Sequence, residues 1–260
     1  MEENFEDLPV AATATPWLAR VIGGSAVQAG TVTFGRNADL FFAAAIALAI
    51  PWFASVAVPL ASPLLPMLDP ERYWLQQTVH QIAALALTLL VIHLVSKRRL
   101  ADWGLNLRHA GLGISMAAGF AIVVSVPIYF LMDAAPPPTT PITSWVIVAI
   151  LTTHLLVIGT TQEVLYRGFV MGFLENRWPM VYRLAGMEIP VRGLIAAVIF
   201  MLSHVKPFPP FVWPMQLMFA LIYGVFYALM YHRTRSLLGP ALAHGYSNTA
   251  YVAMLLLKYA

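Results

Sequence analysis

The sequence predicts an all-α fold, a polytopic bundle of about seven transmembrane helices whose core forms a cavity. Three observations predict it. Hydrophobic residues make up 60% of the 260 residues and charged residues only 10%, whereas a soluble domain carries about 25% charged residues. Apolar runs long enough to cross the hydrocarbon core recur along the chain. Polar side chains interrupt several of these runs, where they are costly unless they face a cavity or one another.

The first 39 residues are predicted to form a separate polar, interfacial tail. They open with acidic residues and contain no basic segment followed by an apolar one, so they do not resemble a cleavable signal peptide. Residues 40–260 are predicted to form the transmembrane domain, and its functional motifs lie within 143–260.

The apolar runs predict the spans in order, at residues 40–62, 78–96, 110–132, 143–174, 191–205, 215–231 and 238–258. Pro51 and Pro127 predict packing kinks in the first and third runs. Pro240 suits the first turn of the last helix. The segment 175–190, rich in arginine and aromatic residues, is predicted to be an interfacial connector on the inner side.

Basic residues predict the orientation. With the N-terminus inside, eleven fall in inner segments and three on the outer side. The inner residues are Arg20, Arg36, Lys97, Arg98, Arg99, Arg108, Arg177, Arg183, Arg192, Arg233 and Arg235, and the outer ones are Arg72, Lys206 and Lys258. This bias predicts a multi-pass protein with a cytoplasmic N-terminus, an external C-terminus and an outer loop at 135–141. A prokaryotic cell membrane is the expected location, although the charge bias does not identify the organism.

Composition also excludes several function classes. The net charge is only +3, and no Lys/Arg-rich stripe supports nucleic-acid binding. The lipid bilayer is the expected partner of the basic loops. Cysteine is absent, which excludes disulfides, thiolate metal sites and cysteine nucleophiles.

The fourth run contains Gln162, Glu163 and Arg167. A charged residue near the bilayer centre costs roughly 2.5–3.5 kcal/mol, but Glu163 and Arg167 are four residues apart and can neutralise each other on one helix face. Taken alone, the pair fits a structural ion pair as well as a catalytic face. Gly168 and Gly245 permit close approach of neighbouring helices.

Other polar groups are predicted at a similar depth. With a rise of about 1.5 Å per residue, Gln162, Glu163, His204 and Asn248 fall near one level, with His244 slightly closer to the inner face. This coincidence favours a shared, water-accessible pocket. The other span histidines are interpreted as hydrogen-bonded packing groups, namely His80, His93 and His154.

These motifs resemble the CPBP family of intramembrane proteases, the CAAX-protease and bacteriocin-processing (Abi) enzymes. That family shows E-E-x-x-x-R, F-x-x-x-H and H-x-x-x-N or H-x-x-x-D on successive helices. This chain has QEVLYR at 162–167, FMLSH at 200–204 and HGYSN at 244–248. The resemblance implies a glutamic-type endopeptidase, similar to type II CAAX prenyl proteases, that cleaves a membrane-embedded or lipidated protein tail.

The resemblance also implies roles. The family's first glutamate and the histidine matching His204 would activate a water, and His244 and Asn248 would hold the oxyanion. Glu163 and Arg167 would brace the site.

Gln162 stands where the family has its first glutamate. Since an amide cannot take a proton from water, hydrolysis is expected to be greatly weakened in this form, whether the replacement is engineered or natural. Glu163 could act as the base instead, but its one-residue offset turns it about 100° around the helix.

Alternatives remain open. A divalent metal could bind His204 and His244 with Asn248 or Glu163, although no H-E-x-x-H pair is present. A metal-free mechanism without a cofactor is favoured. A non-catalytic membrane adaptor that binds a partner protein is the first rival function. A proton-coupled transporter is the second, although no inverted repeat is visible in the sequence.

Overall fold

The computed structural model describes residues 26–61, 69–96, 99–131, 144–184, 187–205 and 214–259. Contacts between Cα atoms divide the chain into two units, Met1–Asp39 and Leu40–Ala260. The described part of the first unit is helical from Ala26 onward, within the segment predicted as a polar tail. The rest of that tail, the predicted outer loop at 135–141 and Lys206 lie outside the described residues.

The helices follow the predicted runs in order. They are α1 Ala26–Ser55, α2 Ala57–Ala61, α3 Asp69–Val95, α4 Ala110–Leu131, α5 at 144–171, α6 Val191–Leu202, α7 Pro214–Thr234 and α8 Leu238–Tyr259. A short 3₁₀ turn, Leu100–Trp103, precedes α4. Helix α1 continues through Pro51, and a turn at Val56 separates it from α2.

Four stretches of the described helices are long and apolar enough to cross a membrane, namely Asn37–Leu60, Leu75–Val95, Ile147–Met171 and Pro214–Thr234. Ala110–Ser125 and Val191–Leu202 are shorter apolar helices. The predicted helical, membrane-spanning character is therefore confirmed, whereas the predicted number of about seven spans is not. Helix α8 matches the seventh predicted run in its bounds but carries the polar HGYSN motif in its middle.

Helix α5 is not uniform. Regular turns at Ser144–Thr152 and Gly159–Glu163 alternate with π-helical segments at Thr153–Ile158 and Val164–Met171. Such segments are rare and occur frequently at functional sites. The Gln162–Glu163 pair therefore lies in a short regular stretch between two wider turns.

A small hairpin departs from the all-α expectation. Strands β1 Val181–Leu184 and β2 Met187–Pro190 pair antiparallel within the segment predicted to be a connector. Arg183 lies directly opposite Glu188, and their side chains form an ion pair at 3.1 Å. A cross-strand pair of opposite charges stabilises such a hairpin, and this pairing was not visible in the apolar pattern.

Helices α5 and α8 cross at two glycines. A Cβ added to Gly159 would lie 2.6 Å from the backbone nitrogen of Gly245, and one added to Gly245 would overlap the carbonyl of Leu155. Small residues let membrane helices approach until their backbones touch. This crossing brings the polar residues of α8 beside those of α5.

Candidate active site

Glu163 lies at the centre of the polar cluster. Its side chain is 0% exposed. Its Oε1 accepts hydrogen bonds from Arg167 Nη1 at 2.8 Å and from His244 Nδ1 at 2.8 Å. A carboxylate only accepts, so the proton must sit on His244 Nδ1. Since Nδ1 is engaged by Glu163, Nε2 is the ring nitrogen of His244 left for a substrate or water.

Arg167 joins the helices around this carboxylate. Its Nη2 donates to the backbone carbonyl of Gly224 on α7 at 2.7 Å. Its guanidinium lies over the rings of Phe200 on α6 and Tyr227 on α7, at 5.1 and 5.2 Å, distances typical of cation–π contacts. The Glu163–Arg167 pair is thus a structural link between helices and part of the polar cluster at once.

His204 lies just beyond the end of α6. Its Nδ1 donates to the carbonyl of Phe200 at 2.8 Å, which again leaves Nε2 as the acceptor nitrogen. The imidazole packs edge-on against the Phe200 ring, with centroids 4.7 Å apart, and His244 packs against the same ring at 5.4 Å. Both imidazoles therefore contact the same phenyl ring.

Gln162 is half-buried on the same regular turn as Glu163. Its Oε1 is buried without a hydrogen-bond partner among the described residues, and so are Glu163 Oε2 and Arg167 Nε. Buried polar atoms are nearly always paired. Unpaired atoms on successive turns therefore indicate where water or a polar ligand group would bind.

Asn248 is half-buried on α8, one turn after His244. Glu163 accepts hydrogen bonds from Arg167 and His244. His204 joins this group through the Phe200 ring, which also contacts His244. Gln162 and Asn248 lie on the same two helices as this group but make no hydrogen bond to another described residue.

The remaining span histidines lie elsewhere. His80 Nε2 donates to the carbonyl of Pro51 at 2.9 Å, as expected of a packing group. His93 is exposed and His154 is half-buried in the first π-helical segment.

Sequence reasoning missed two buried tyrosines. Tyr227 stacks on His244 at 4.9 Å, and Tyr166 packs against Phe200 at 5.1 Å. Span tyrosines are assigned to the membrane interface by default, so only knowledge of the helix packing could identify these contacts.

A metal centre is not evident. Within the described ranges, no three His, Asp or Glu side chains converge as a metal-binding group. The metal-free mechanism stays a prediction.

Comparison with known proteins relates the site to a protein family. No curated protein and no solved structure matches the chain. Residues 143–250 match a family described as type II CAAX prenyl endopeptidase, Rce1-like. The matched segment contains α5, α6 and α7, together with the three motifs that carry Glu163, His204 and His244. From residue 143 to residue 250 the chain is therefore similar to the Rce1-like type II CAAX prenyl endopeptidases, and its long apolar helices are those of an integral membrane protein.

Proposed function

We propose that this protein has an intramembrane endopeptidase site of the CAAX type, which acts on a membrane-embedded or lipidated protein tail and whose hydrolytic step is greatly weakened by Gln162. The observation that carries the proposal is the buried Arg167–Glu163–His244 network, with His204 packed against the same Phe200 ring that contacts His244. Its position inside an Rce1-like domain supports the assignment to peptide hydrolysis.

The side chains suit the steps of such a reaction. Hydrolysis requires a base that takes a proton from water, and donors aimed at the developing oxyanion. His204 Nε2 can accept a hydrogen bond from that water, and position 162 would supply the carboxylate. Once protonated at Nε2, His244 can donate to an oxyanion together with the Asn248 amide. Glu163, with Oε1 shared by two donors, is suited to bracing His244 and to stabilising its positive charge.

Gln162 limits this chemistry. Its amide has nearly the shape of a carboxylate, so it preserves the site, but it has no useful basicity. The Gln162→Glu variant should therefore cleave a prenylated tail peptide at least about 100-fold faster than the present chain, since a positioned general base contributes roughly 10²–10⁴-fold.

The assay is release of a fluorophore from a quenched tail peptide, with and without a prenyl group, in detergent micelles. The matched control is Gln162→Glu combined with His204→Ala, which should return cleavage to background. If folded Gln162→Glu protein cleaves neither peptide while a related CAAX protease cleaves them in the same assay, the endopeptidase proposal is wrong.

Gln162 also favours a second candidate function, a membrane adaptor that binds a protein tail without cleaving it. In that case the present chain binds the tail peptide, binding survives His204→Ala, and Gln162→Glu adds no cleavage. A binding titration with fluorescent tail peptide distinguishes the two functions.

A further inference from the structure

Tyr227 on α7 and Ser247 on α8 form a buried pair behind His244. The Tyr227 hydroxyl lies 3.0 Å from Ser247 Oγ, and Ser247 Oγ donates to the carbonyl of His244 at 2.8 Å. Since the Ser247 proton is used on that carbonyl, Tyr227 must donate to Ser247. A directed chain of hydrogen bonds therefore runs from the Tyr227 hydroxyl to the backbone that carries His244.

The Tyr227 ring makes a second contact with the same histidine. Its plane lies 17° from that of the His244 imidazole, with centroids 4.9 Å apart. Phe200 meets the imidazole edge-on, at 81°, and Glu163 holds Nδ1. Two aromatic rings and one carboxylate thus contact the imidazole, and together they restrict the direction in which Nε2 points.

Tyr227 also contacts the other partner of Glu163. The Arg167 guanidinium lies over its ring at 5.2 Å. Tyr227 itself is only 1% exposed. A single buried side chain therefore touches both groups that hydrogen-bond to the Glu163 carboxylate.

We propose that Tyr227, together with Ser247, is a positioning residue that holds His244 in one tautomer and one orientation, with Nδ1 on Glu163 and Nε2 directed to the substrate. The expected effect on kcat rests on the proposed function. The tautomer and orientation of His244 do not, because they can be measured without any activity. Preorganised donors stabilise charge in a transition state because no reorganisation is needed during the reaction.

A purely structural role would make a different prediction. If Tyr227 only fills volume, replacing it would lower stability without changing the state of the His244 ring. The tautomer of His244 and the separate effects on kcat and KM therefore distinguish positioning from packing.

The first experiment needs no activity. The present chain is labelled with ¹⁵N-histidine in detergent micelles, and the signals of His244 among the seven histidines are assigned with His244→Ala. We expect one tautomer, protonated at Nδ1, with protons shifted by the stacked ring. In Tyr227→Leu the ring shift should be lost and both tautomers should appear, whereas Tyr231→Phe, a control one turn along α7, should leave the His244 signals unchanged. Unchanged His244 signals in folded Tyr227→Leu protein would overturn the proposal.

The second experiment measures kinetics in the Gln162→Glu background. Tyr227→Leu should lower kcat roughly 100-fold with KM nearly unchanged, because a small displacement of a catalytic group costs about that factor. Smaller losses should follow in Tyr227→Phe, which removes the first hydrogen bond of the chain, and in Ser247→Ala, which removes both. A rise in KM with unchanged kcat would contradict a positioning role. If Gln162→Glu is itself inactive, the proposed function fails, and the histidine spectra still decide the role of Tyr227.

Discussion

Gln162 and Glu163 are neighbours in the sequence but have opposite surroundings. Glu163 is fully buried and accepts two hydrogen bonds on one oxygen, whereas Gln162 is half-buried and its carbonyl oxygen has no partner among the described residues. One residue corresponds to about 100° around a helix, so the two side chains point in different directions. This arrangement fits the proposed bracing role of position 163 and the proposed contact of position 162 with the reacting water.

Removing the charge of Glu163 should destabilise the protein. The Glu163→Gln variant leaves the buried Arg167 without a counter-charge, and breaking one side of a buried pair costs about 3–5 kcal/mol. Glu188→Gln is the matched control, because Glu188 is 48% exposed and its partner Arg183 is 81% exposed, and surface pairs contribute only about 0–1 kcal/mol. Thermal unfolding in detergent measures both. Equal decreases in Tm would show that the Glu163–Arg167 pair is not the link between the helices.

At the scale of elements, the crossing of α5 and α8 positions the site. The Gly159–Gly245 contact brings the two backbones together. His244 precedes Gly245 and Glu163 lies one turn beyond Gly159, so this contact is what lets the imidazole reach the carboxylate. The π-helical segments on both sides of Gly159–Glu163 change the helical phase of α5 around it.

A methyl group at the crossing should separate these helices. In Gly245→Ala the new Cβ would overlap the Leu155 carbonyl, and overpacking of this kind costs typically about 1–3 kcal/mol. Gly111→Ala on α4 is the control, because no atom lies within 4 Å of its added Cβ and alanine favours a helix by about 1 kcal/mol over glycine. We expect Gly245→Ala to lower Tm and, in the Gln162→Glu background, to reduce cleavage, whereas Gly111→Ala does neither. An unchanged Tm in Gly245→Ala would argue against a tight crossing.

At the scale of the whole molecule, one ion-pair cluster connects the ends of the motif helices. Glu175, just after α5, lies 3.6 Å from Arg192 at the start of α6 and also pairs with Arg235 between α7 and α8. All three residues, and the Arg183–Glu188 hairpin, belong to segments that the distribution of basic residues predicts to be on the inner side. The cluster is consistent with a single inner face, which is still a prediction from charge.

Single cysteines can test that orientation, because the chain contains none. We expect a membrane-impermeant maleimide applied to intact cells to label Thr139→Cys, in the predicted outer loop, and to leave Arg183→Cys, in the hairpin, unlabelled until the cells are opened. The cysteine-free chain is the negative control, because it has no thiol for the maleimide to label. Labelling of Arg183→Cys from outside would reverse the predicted topology.

The sequence by itself determined the helical, membrane-spanning character, the order of the helices and the residue types at the site. These features are local: long apolar runs are needed to cross the bilayer, and the i, i+4 spacing of Glu163 and Arg167 places them on one face. Only the tertiary structure decided that Glu163 holds His244, that Tyr227 stacks on that imidazole, and that the connector pairs as a hairpin. Such contacts depend on how distant helices pack and on where glycines let their backbones touch, and neither apolar periodicity nor motif spacing encodes those distances.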